Sequence, residues 1–527
     1  MSRSLLGTAL ALALTVSCSQ AVEHKSDVIP SPADVRLSDK SVDINKFNTV
    51  SCPALLGQEA DFLATGLRQR GVETDIADNA GNKAGAIILA VDSLNLGEES
   101  YSMTVSRNRV RITGGDAAGV FYGIQTLLQQ VDAGGLYTGT VNDSPRYSWR
   151  GYMLDESRHF AGKEKVKQIL DIMAYYKLNR FHWHLTDAPG WRIEIKGWPL
   201  LTVVGGRGNY SDPGAPVRYY TQEEISEIVS YASSLHIEVI PEIDMPGHAS
   251  AANRAYPQFN GGGTPQFKDF TFNVGKEETY SYLTSILREV ASLFHSEYIH
   301  IGGDEVSFGS SAWLADSYVK SMMQREGLST IKEAEGYFIH RMTDSLKVMG
   351  KKVLGWDDML DFPLDNSVNC ITWWRHDRPH SLKKALDGGF ATVMCPRKPL
   401  YFDFVQNDSH NVGRKWDGCC PLEDVYAFPD PWFKEWEITA EEERYIMGMQ
   451  ANLWSELVHN EDRLDFLTFP RICALAEAAW TPAEKKDYGD FTRRMENAYR
   501  LFDSLGLYYY DDRNPEHHPE PAGPVIK

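Results

Sequence analysis

The stretch Tyr298-Ile299-His300-Ile301-Gly302-Gly303-Asp304-Glu305 decides the fold, because a short apolar run leads directly into two glycines and two carboxylates. Such a run, bounded by glycine, predicts a buried strand. The chain after residue 148 repeats this theme: a short apolar run, a polar or aromatic loop, then an amphipathic stretch. The predicted strands are residues 151–154, 181–185, 237–241, 298–302, 352–356, 369–374, 391–395 and 446–451.

Stretches with helical spacing of apolar residues lie between these strands. They predict helices at residues 163–176, 222–235, 277–294 and 332–349. Alternation of eight strands with helices over roughly 350 residues is typical of a (β/α)8 TIM barrel, here residues 146–510. A doubly wound parallel sheet is the alternative.

The part before the barrel has a different pattern. Residues 86–91, 101–105 and 109–113 read as strands and residues 116–130 as a helix, so residues 46–145 are predicted to form a small α+β domain. Residues 19–45 are polar, contain Pro30 and Pro32, and are predicted to be a tether. Residues 511–527 are rich in Pro and His and are expected to be an irregular tail.

The first 18 residues have the features of a signal peptide. Arg3 precedes an apolar run at residues 5–16, which is too short to span a bilayer, and small residues follow it. The phrase Leu14-Thr15-Val16-Ser17-Cys18 also resembles a bacterial lipobox. We therefore expect export to the periplasm, or to the outer membrane or cell surface as a lipoprotein attached to the membrane through lipidated Cys18. Simple secretion is the alternative.

The composition excludes several classes of protein. The 527 residues are 43% hydrophobic and 24% charged, which is typical of a soluble globular chain. The net charge of −19 argues against nucleic acid as the main partner, because phosphate binding requires basic patches. No two cysteines have the C-x-x-C spacing of a zinc site, and we expect neither a metal nor a cofactor.

A barrel of this kind has its active site at the carboxyl ends of its strands. Each residue there has a structural explanation on its own, since Asp often caps a helix and Trp often packs. Polar or aromatic residues nevertheless follow every predicted strand: Asp155 and Arg158, Asp187, Asp244 and His248, Asp304 and Glu305, Trp356, Trp374, Tyr401 and Asp403, Trp454 and Glu456. Carboxylates and Arg bind vicinal hydroxyls, and Trp faces pack on sugar rings. The rim therefore predicts a sugar as the substrate.

Five ordered motifs carry a resemblance to a known family. The most specific is residues 300–306, His-Ile-Gly-Gly-Asp-Glu-Val; the others are residues 150–159, 182–187, 246–248 and 452–456. With these motifs, the chain resembles the β-N-acetylhexosaminidases of glycoside hydrolase family 20 over residues 53–508. The resemblance implies an exo-acting retaining enzyme that removes terminal β-linked GlcNAc or GalNAc from an oligosaccharide or glycoconjugate. Its nucleophile is the acetamido group of the substrate, which forms an oxazolinium intermediate.

The resemblance also implies roles for the matching residues. Glu305 is the general acid and then the base, Asp304 orients the acetamido group, and Tyr401 donates a hydrogen bond to the acetamido oxygen. Asp187 and His248 do not contact the sugar but tune the chemistry of Glu305. The residues implied to bind the sugar are Arg158, Trp356, Trp374, Asp403, Trp454 and Glu456.

Some positions depart from the family pattern, and two other functions remain open. The chain has Ala188 and Pro189 where Asp-Gln is common in the family, Asp358 where Glu is frequent, and no match at residues 406–424. A metal-dependent hydrolase on the same barrel is one alternative, since five residues could supply ligands: His182, His184, His248, His300 and Asp304. A non-catalytic glycan-binding lipoprotein is the other.

Overall fold

A computed structural model describes residues 23–77 and 84–527. The predicted signal peptide and Cys18 lie outside the described residues. Within them, the chain forms an N-terminal domain built on one sheet and a second domain built on a closed barrel.

The N-terminal domain is a mixed sheet of eight strands with two helices packed against it. The strand order is β1-β2-β8-β6-β7-β5-β3-β4. The strands are β1 (Glu23–His24), β2 (Asp34–Val42), β3 (Thr49–Ser51), β4 (Asp75–Ala77), β5 (Ala86–Val91), β6 (Tyr101–Ser106), β7 (Arg109–Gly114) and β8 (Leu136–Asp143). The helices are α1 (Gly57–Gln69) and α2 (Ala117–Asp132).

The prediction of a tether at residues 19–45 is wrong for its described part. β2 pairs antiparallel with β8, from Asp34 opposite Asn142 to Val42 opposite Leu136. Just before it, the backbone N–H of buried Ile29 donates to Gln129 of α2 at 2.9 Å. Four of the nine side chains of β2 are exposed and Leu37 is the one fully buried, so the strand has too few buried apolar residues for its sequence to reveal it.

Eight parallel strands close the barrel in the order β9-β10-β11-β14-β15-β16-β17-β18, which confirms the predicted (β/α)8 fold. Each of the eight strands predicted from the sequence is present. The strands of this domain are β9 (Trp149–Asp155), β10 (Arg180–His184), β11 (Glu238–Glu242), β12 (Asn260–Gly262), β13 (Thr271–Phe272), β14 (Tyr298–His300), β15 (Lys352–Trp356), β16 (Asn369–Trp373), β17 (Thr392–Met394) and β18 (Ile446–Leu453). β12 and β13 form a separate two-stranded sheet outside the barrel.

Helices follow the barrel strands, and two of the longer ones begin with capping boxes. Thr221 with Glu224 and Thr330 with Glu333 satisfy the first free N–H groups of the helices that begin at Gln222 and Ile331. The helices are α3 (Lys163–Tyr175), α4 (Leu200–Val203), α5 (Gln222–Ser234), α6 (Ser250–Ala255), α7 (Glu277–Leu293), α8 (Ser317–Glu326), α9 (Ile331–Val348), α10 (Pro379–Asp387), α11 (Arg397–Leu400), α12 (Leu422–Ala427), α13 (Asp430–Glu435), α14 (Ala440–Glu443), α15 (Glu461–Thr468), α16 (Arg471–Trp480) and α17 (Tyr488–Ser504). No helix in the described part of the chain is both long and apolar enough to cross a bilayer.

The two domains join through buried polar contacts. Lys177, which precedes β10, donates to Asp143 of the N-terminal sheet at 3.1 Å, and both side chains are fully buried. Trp480 donates to the same carboxylate at 3.0 Å. Arg150, near the start of β9, pairs with Glu99 at 2.8 Å. Lys177 and Arg150 lie at the amino-terminal ends of barrel strands, so the N-terminal domain packs at the end of the barrel opposite the polar rim.

Candidate active site

The turn that follows β14 presents Asp304 and Glu305 at the carboxyl end of the barrel. Gly302, Gly303 and Glu305 all have positive φ, at 70°, 89° and 51°. A Cβ on Gly302 would lie 1.8 Å from Oδ1 of Asp244, so only glycine fits between this carboxylate and the turn. Glu305 is a non-glycine residue in the left-handed region, a strained conformation that tends to occur at functional sites.

A pocket at this rim collects most of the residues predicted from the sequence. Asp187 and Asp403 are the two predicted residues that do not line it; each instead contacts a lining residue. The lining residues are Arg158, His248, Asp304, Glu305, Trp356, Trp374, Arg397, Tyr401, Arg414, Trp416, Trp454 and Glu456.

A series of charged side chains in contact with one another leads from Arg158 to Asp304 and Glu305. Nη2 of Arg158 lies 2.7 Å from Asp187, whose other oxygen lies 3.0 Å from Nδ1 of His248. Nε2 of His248 lies 3.6 Å from both the Asp304 and the Glu305 carboxylates. Burial opposes a charge on His248, but the nearby carboxylates of Asp187, Asp244 and Asp304 outweigh it and raise its pKa well above the usual value. A cationic imidazole therefore faces both members of the acidic pair.

Beside the Asp304–Glu305 pair, the carboxyl groups of Asp304 and Asp244 form a second pair. Oδ1 of each carboxyl group is buried and has no hydrogen-bond partner. Burial raises the pKa of Asp304 to about 7, although His248 opposes this rise. Burial and the neighbouring Asp304 raise the pKa of Asp244 well above its usual value. Asp304 thus has one carboxyl oxygen that is withdrawn from water and receives no hydrogen bond within the protein.

Aromatic rings form the walls of the pocket. The rings of Trp374 and Tyr401 are nearly parallel, at 14°, with centroids 6.4 Å apart. The ring of Trp454 is tilted, 6.1 Å from Tyr401 and 5.8 Å from Trp356. Hydrogen bonds to carboxylates fix two of the indoles: Trp356 donates to Glu242 and Trp374 to Asp358, both at 3.0 Å. The pocket is therefore a rigid aromatic box with an acidic floor.

Four charged side chains gather at the end of the pocket near Trp454. The guanidinium of Arg158 lies 4.9 Å from the Trp454 ring centre. Arg414 donates to Asp403 and to Glu456, each at 2.7 Å. This end of the box therefore presents fixed charges suited to binding hydroxyl groups.

The histidines proposed as metal ligands contact carboxylates of the barrel interior. His182, His184 and His300 lie 3.0, 2.5 and 3.0 Å from the oxygens of buried Glu242. Together with Trp356, they place four nitrogens around one carboxylate, which has about four acceptor positions. Three described clusters have metal-ligand geometry: His182–Glu242–His300, His184–Asp187–Asp244 and Asp244–His248–Asp304. In the first of them, Glu242 already forms hydrogen bonds with His184 and with the indole of Trp356.

Several residues of the site had no predicted role. Asp244 and Glu242 lie at the end of β11, and the sequence placed Asp244 at the rim without a function. Arg414 and Trp416 come from residues 406–424, where nothing matches the family pattern, and Arg397 precedes the predicted Tyr401. Their one sequence signal is Arg and Trp in a loop beyond a barrel strand, which is too common to single them out.

Comparisons with known proteins agree with this geometry. The family model "Glycosyl hydrolase family 20, catalytic domain" matches residues 147–483, and "Glycosyl hydrolase family 20, domain 2" matches residues 25–144. A beta-hexosaminidase of Porphyromonas gingivalis is 36% identical over 97% of this chain and 69% of its own length. A beta-N-acetylhexosaminidase of Cellulomonas fimi is 30% identical over 92% of this chain and 95% of its own.

Solved structures are similar along the same length. The exo beta-N-acetylglucosaminidase of Vibrio harveyi, solved with N-acetylglucosamine, has a TM-score of 0.83 and 30% identity over 93% of this chain and 79% of its own. The beta-N-acetylhexosaminidase of Bacteroides fragilis has a TM-score of 0.79 and 30% identity over 92% and 96%. Barrel, acidic pair and aromatic box thus define a glycoside hydrolase. The chain belongs to glycosyl hydrolase family 20, the family of the β-hexosaminidases.

Proposed function

We propose that the protein is an exo-acting, retaining β-N-acetylhexosaminidase that hydrolyses terminal non-reducing β-linked GlcNAc or GalNAc by substrate-assisted catalysis. The observation that carries this proposal is that Asp304 and Glu305 line one pocket together with Trp356, Trp374, Tyr401 and Trp454. An acetamido N–H is a donor of the right kind for the Asp304 carboxylate, and the aromatic box suits the acetamido methyl group. The relatives named above support the choice of sugar.

The proposed reaction has two steps. The acetamido oxygen of the substrate attacks C1 while the bond from C1 to the leaving oxygen breaks, and Glu305 gives that oxygen its proton. The resulting oxazolinium ion is stabilised by the Asp304 carboxylate and by the hydroxyl of Tyr401. Glu305 then takes a proton from water, whose oxygen attacks C1 and breaks the bond to the acetamido oxygen. Two inversions at C1 give net retention.

The positions of the two carboxylates favour this route over an enzyme nucleophile. Asp304 and Glu305 are sequence neighbours, and both face Nε2 of His248 at 3.6 Å. In the two-carboxylate mechanism, the acid and the nucleophile flank the glycosidic bond from opposite sides. Two carboxylates beside one imidazole approach the sugar from the same side. The nucleophile therefore comes from the substrate.

The outer end of the pocket accounts for exo action. We assign Arg158 and Glu456 to the outer hydroxyls and Asp403 to the 6-hydroxyl of a terminal sugar. Arg158, Glu456 and their partner Arg414 line this end of the pocket, where a further sugar beyond the non-reducing end would have to pass.

A substrate panel tests the proposal. We expect aryl β-GlcNAc or β-GalNAc to be hydrolysed at least about 10³-fold faster than the aryl β-glucoside, which lacks the nucleophile. NMR of the first product should show the β-anomer. Activity should survive exhaustive chelation, because the acid, the base and the nucleophile need no metal. Comparable turnover of the glucoside, or the α-anomer as first product, would contradict the mechanism.

We also propose that the protein is exported and lipidated at Cys18, on the strength of the lipobox-like phrase in the sequence. In a Gram-negative host, the full chain should incorporate labelled fatty acid and sediment with membranes. The Cys18→Ser variant should lose the label. Secretion of an unlabelled wild-type chain into the soluble fraction would show that simple secretion is the correct alternative.

A further inference from the structure

The loop between β17 and β18 brings one guanidinium between two carboxylates of the pocket. Nε of Arg414 donates to Oδ2 of Asp403, and Nη2 donates to Oε1 of Glu456, each at 2.7 Å. Asp403 follows β17 and Glu456 follows β18, so Arg414 links the ends of two neighbouring strands. Its guanidinium also stacks on Trp416 at the pocket mouth, 4.5 Å from the ring centre.

This arrangement fixes the orientation of both carboxylates before a ligand binds. Arg414 engages one oxygen of each, and Oδ1 of Asp403 stays buried without a hydrogen-bond partner. Burial raises the pKa of Asp403 to about 7, and Arg414 opposes the rise. Without that cation, buried Asp403 and half-buried Glu456 would repel each other, which favours protonation of one of them. A protonated or displaced Asp403 would no longer be a fixed acceptor for a sugar hydroxyl.

The Arg414 loop is itself held by the C-terminal segment of the chain. The Glu520 carboxylate accepts the backbone N–H groups of Asn411 and Val412 at 2.7 and 2.8 Å. The same carboxylate lies 3.4 Å from Nη1 of Arg463, whose side chain is fully buried. The irregular C-terminal segment therefore packs against the loop that carries Arg414.

We propose that Arg414 is a positioning residue that fixes Asp403 and Glu456 for the outer hydroxyls of the sugar, and that Glu520 fixes the Arg414 loop. The proposal rests on the proposed function, because it assigns those carboxylates to a terminal sugar. Arg414 holds the Asp403 carboxylate in place, and we assign that carboxylate to the 6-hydroxyl of the terminal sugar.

The first test compares the variant Arg414→Gln with wild type on two substrates: an aryl N-acetyl-β-hexosaminide and its 6-deoxy analogue. We expect wild type to prefer the parent substrate, and Arg414→Gln to lose about tenfold or more of this preference. The preference is a ratio measured on one preparation, so partial unfolding does not change it. Arg341→Gln is the matched control, since it breaks a pair with Glu277 near the protein surface. It should leave the preference unchanged.

A double variant distinguishes a positioning role of Arg414 from direct contact between Arg414 and the sugar hydroxyl. If Arg414 acts through Asp403, Asp403→Asn and Asp403→Asn/Arg414→Gln should have the same preference for the parent substrate within about twofold, because coupled residues are non-additive. A further loss of preference in the double variant would mean that Arg414 itself binds the hydroxyl. That result would overturn the positioning role.

The tail is tested by Glu520→Gln, with Glu516→Gln as the matched control. Both lie in the C-terminal segment, and Glu516 is exposed. We expect Glu520→Gln to raise KM for the parent substrate about threefold or more and to lower the preference in the same direction as Arg414→Gln. Unchanged kinetics in Glu520→Gln would overturn the role of the tail.

Failure of this inference differs from failure of the proposed function. A wild-type chain that hydrolyses neither substrate contradicts the function. An active wild-type chain contradicts the inference if Arg414→Gln loses equal factors on both substrates, or loses nothing.

Discussion

Replacing Glu305 by Gln should lower kcat by about 10²–10⁴-fold on substrates with poor leaving groups, the range expected for loss of a general acid. The change keeps the shape of the side chain but removes the proton that the leaving oxygen needs. The loss should shrink as the leaving group improves, since a dinitrophenolate departs without protonation. The measurement is the dependence of kcat/KM on the pKa of the leaving phenol, which should be steeper in the variant than in wild type. The ratio kcat/KM reports the first step alone, so the role of Glu305 as base in the second step does not enter it.

Binding of the sugar should survive this change. Arg158 and the aromatic walls do not depend on Glu305, so the Kd of the hexosamine product should change by less than about tenfold. Glu278→Gln, an exposed position on α7, is the control and should keep full activity. An equal loss on all leaving groups would show that Glu305 has a structural role and does not transfer the proton.

The sequence predicted the barrel well because its strands are buried on both faces. Such strands are continuous apolar runs, as at residues 352–356, which match β15 to the residue. Strand β2 of the N-terminal sheet was not predicted. β2 has one fully buried side chain, and its stability comes from pairing with β8, which is a long-range property that no local pattern contains.

The residues of the site also fall into a group that the sequence predicted and a group that it did not. Residues that lie directly at strand ends, such as Asp304 and Trp356, were found because the barrel fixes where strand ends meet. Arg414 comes from a long loop whose path depends on contacts with Glu520, more than a hundred residues away in the chain. Asp244 was visible at the rim, but its contact with the Gly302 turn depends on the backbone conformation of a neighbouring strand.

Replacing Asp304 by Asn should lower kcat/KM by about 10²–10³-fold for substrates that carry the acetamido group, a loss typical of removing one fixed electrostatic contact to a transition state. Burial raises the pKa of Asp304 to about 7 in the empty pocket. An N–H donor and a developing positive charge both favour its ionised form, so the carboxylate interacts more strongly with the oxazolinium ion than with the bound substrate. Differential binding of this kind speeds the reaction.

Substrates with altered acyl groups test the role of Asp304 in the reaction. Successive fluorine substitution on the acetamido methyl withdraws electrons from the carbonyl oxygen, so the wild-type rate should fall steeply along the series if that oxygen is the nucleophile. Asn at position 304 cannot stabilise the cationic intermediate, and every member of the series should be slow. Asp344→Asn, on the outer part of α9, is the control and should follow the wild-type series. A wild-type rate that is indifferent to fluorination would show that the acetamido group is a passive part of the substrate.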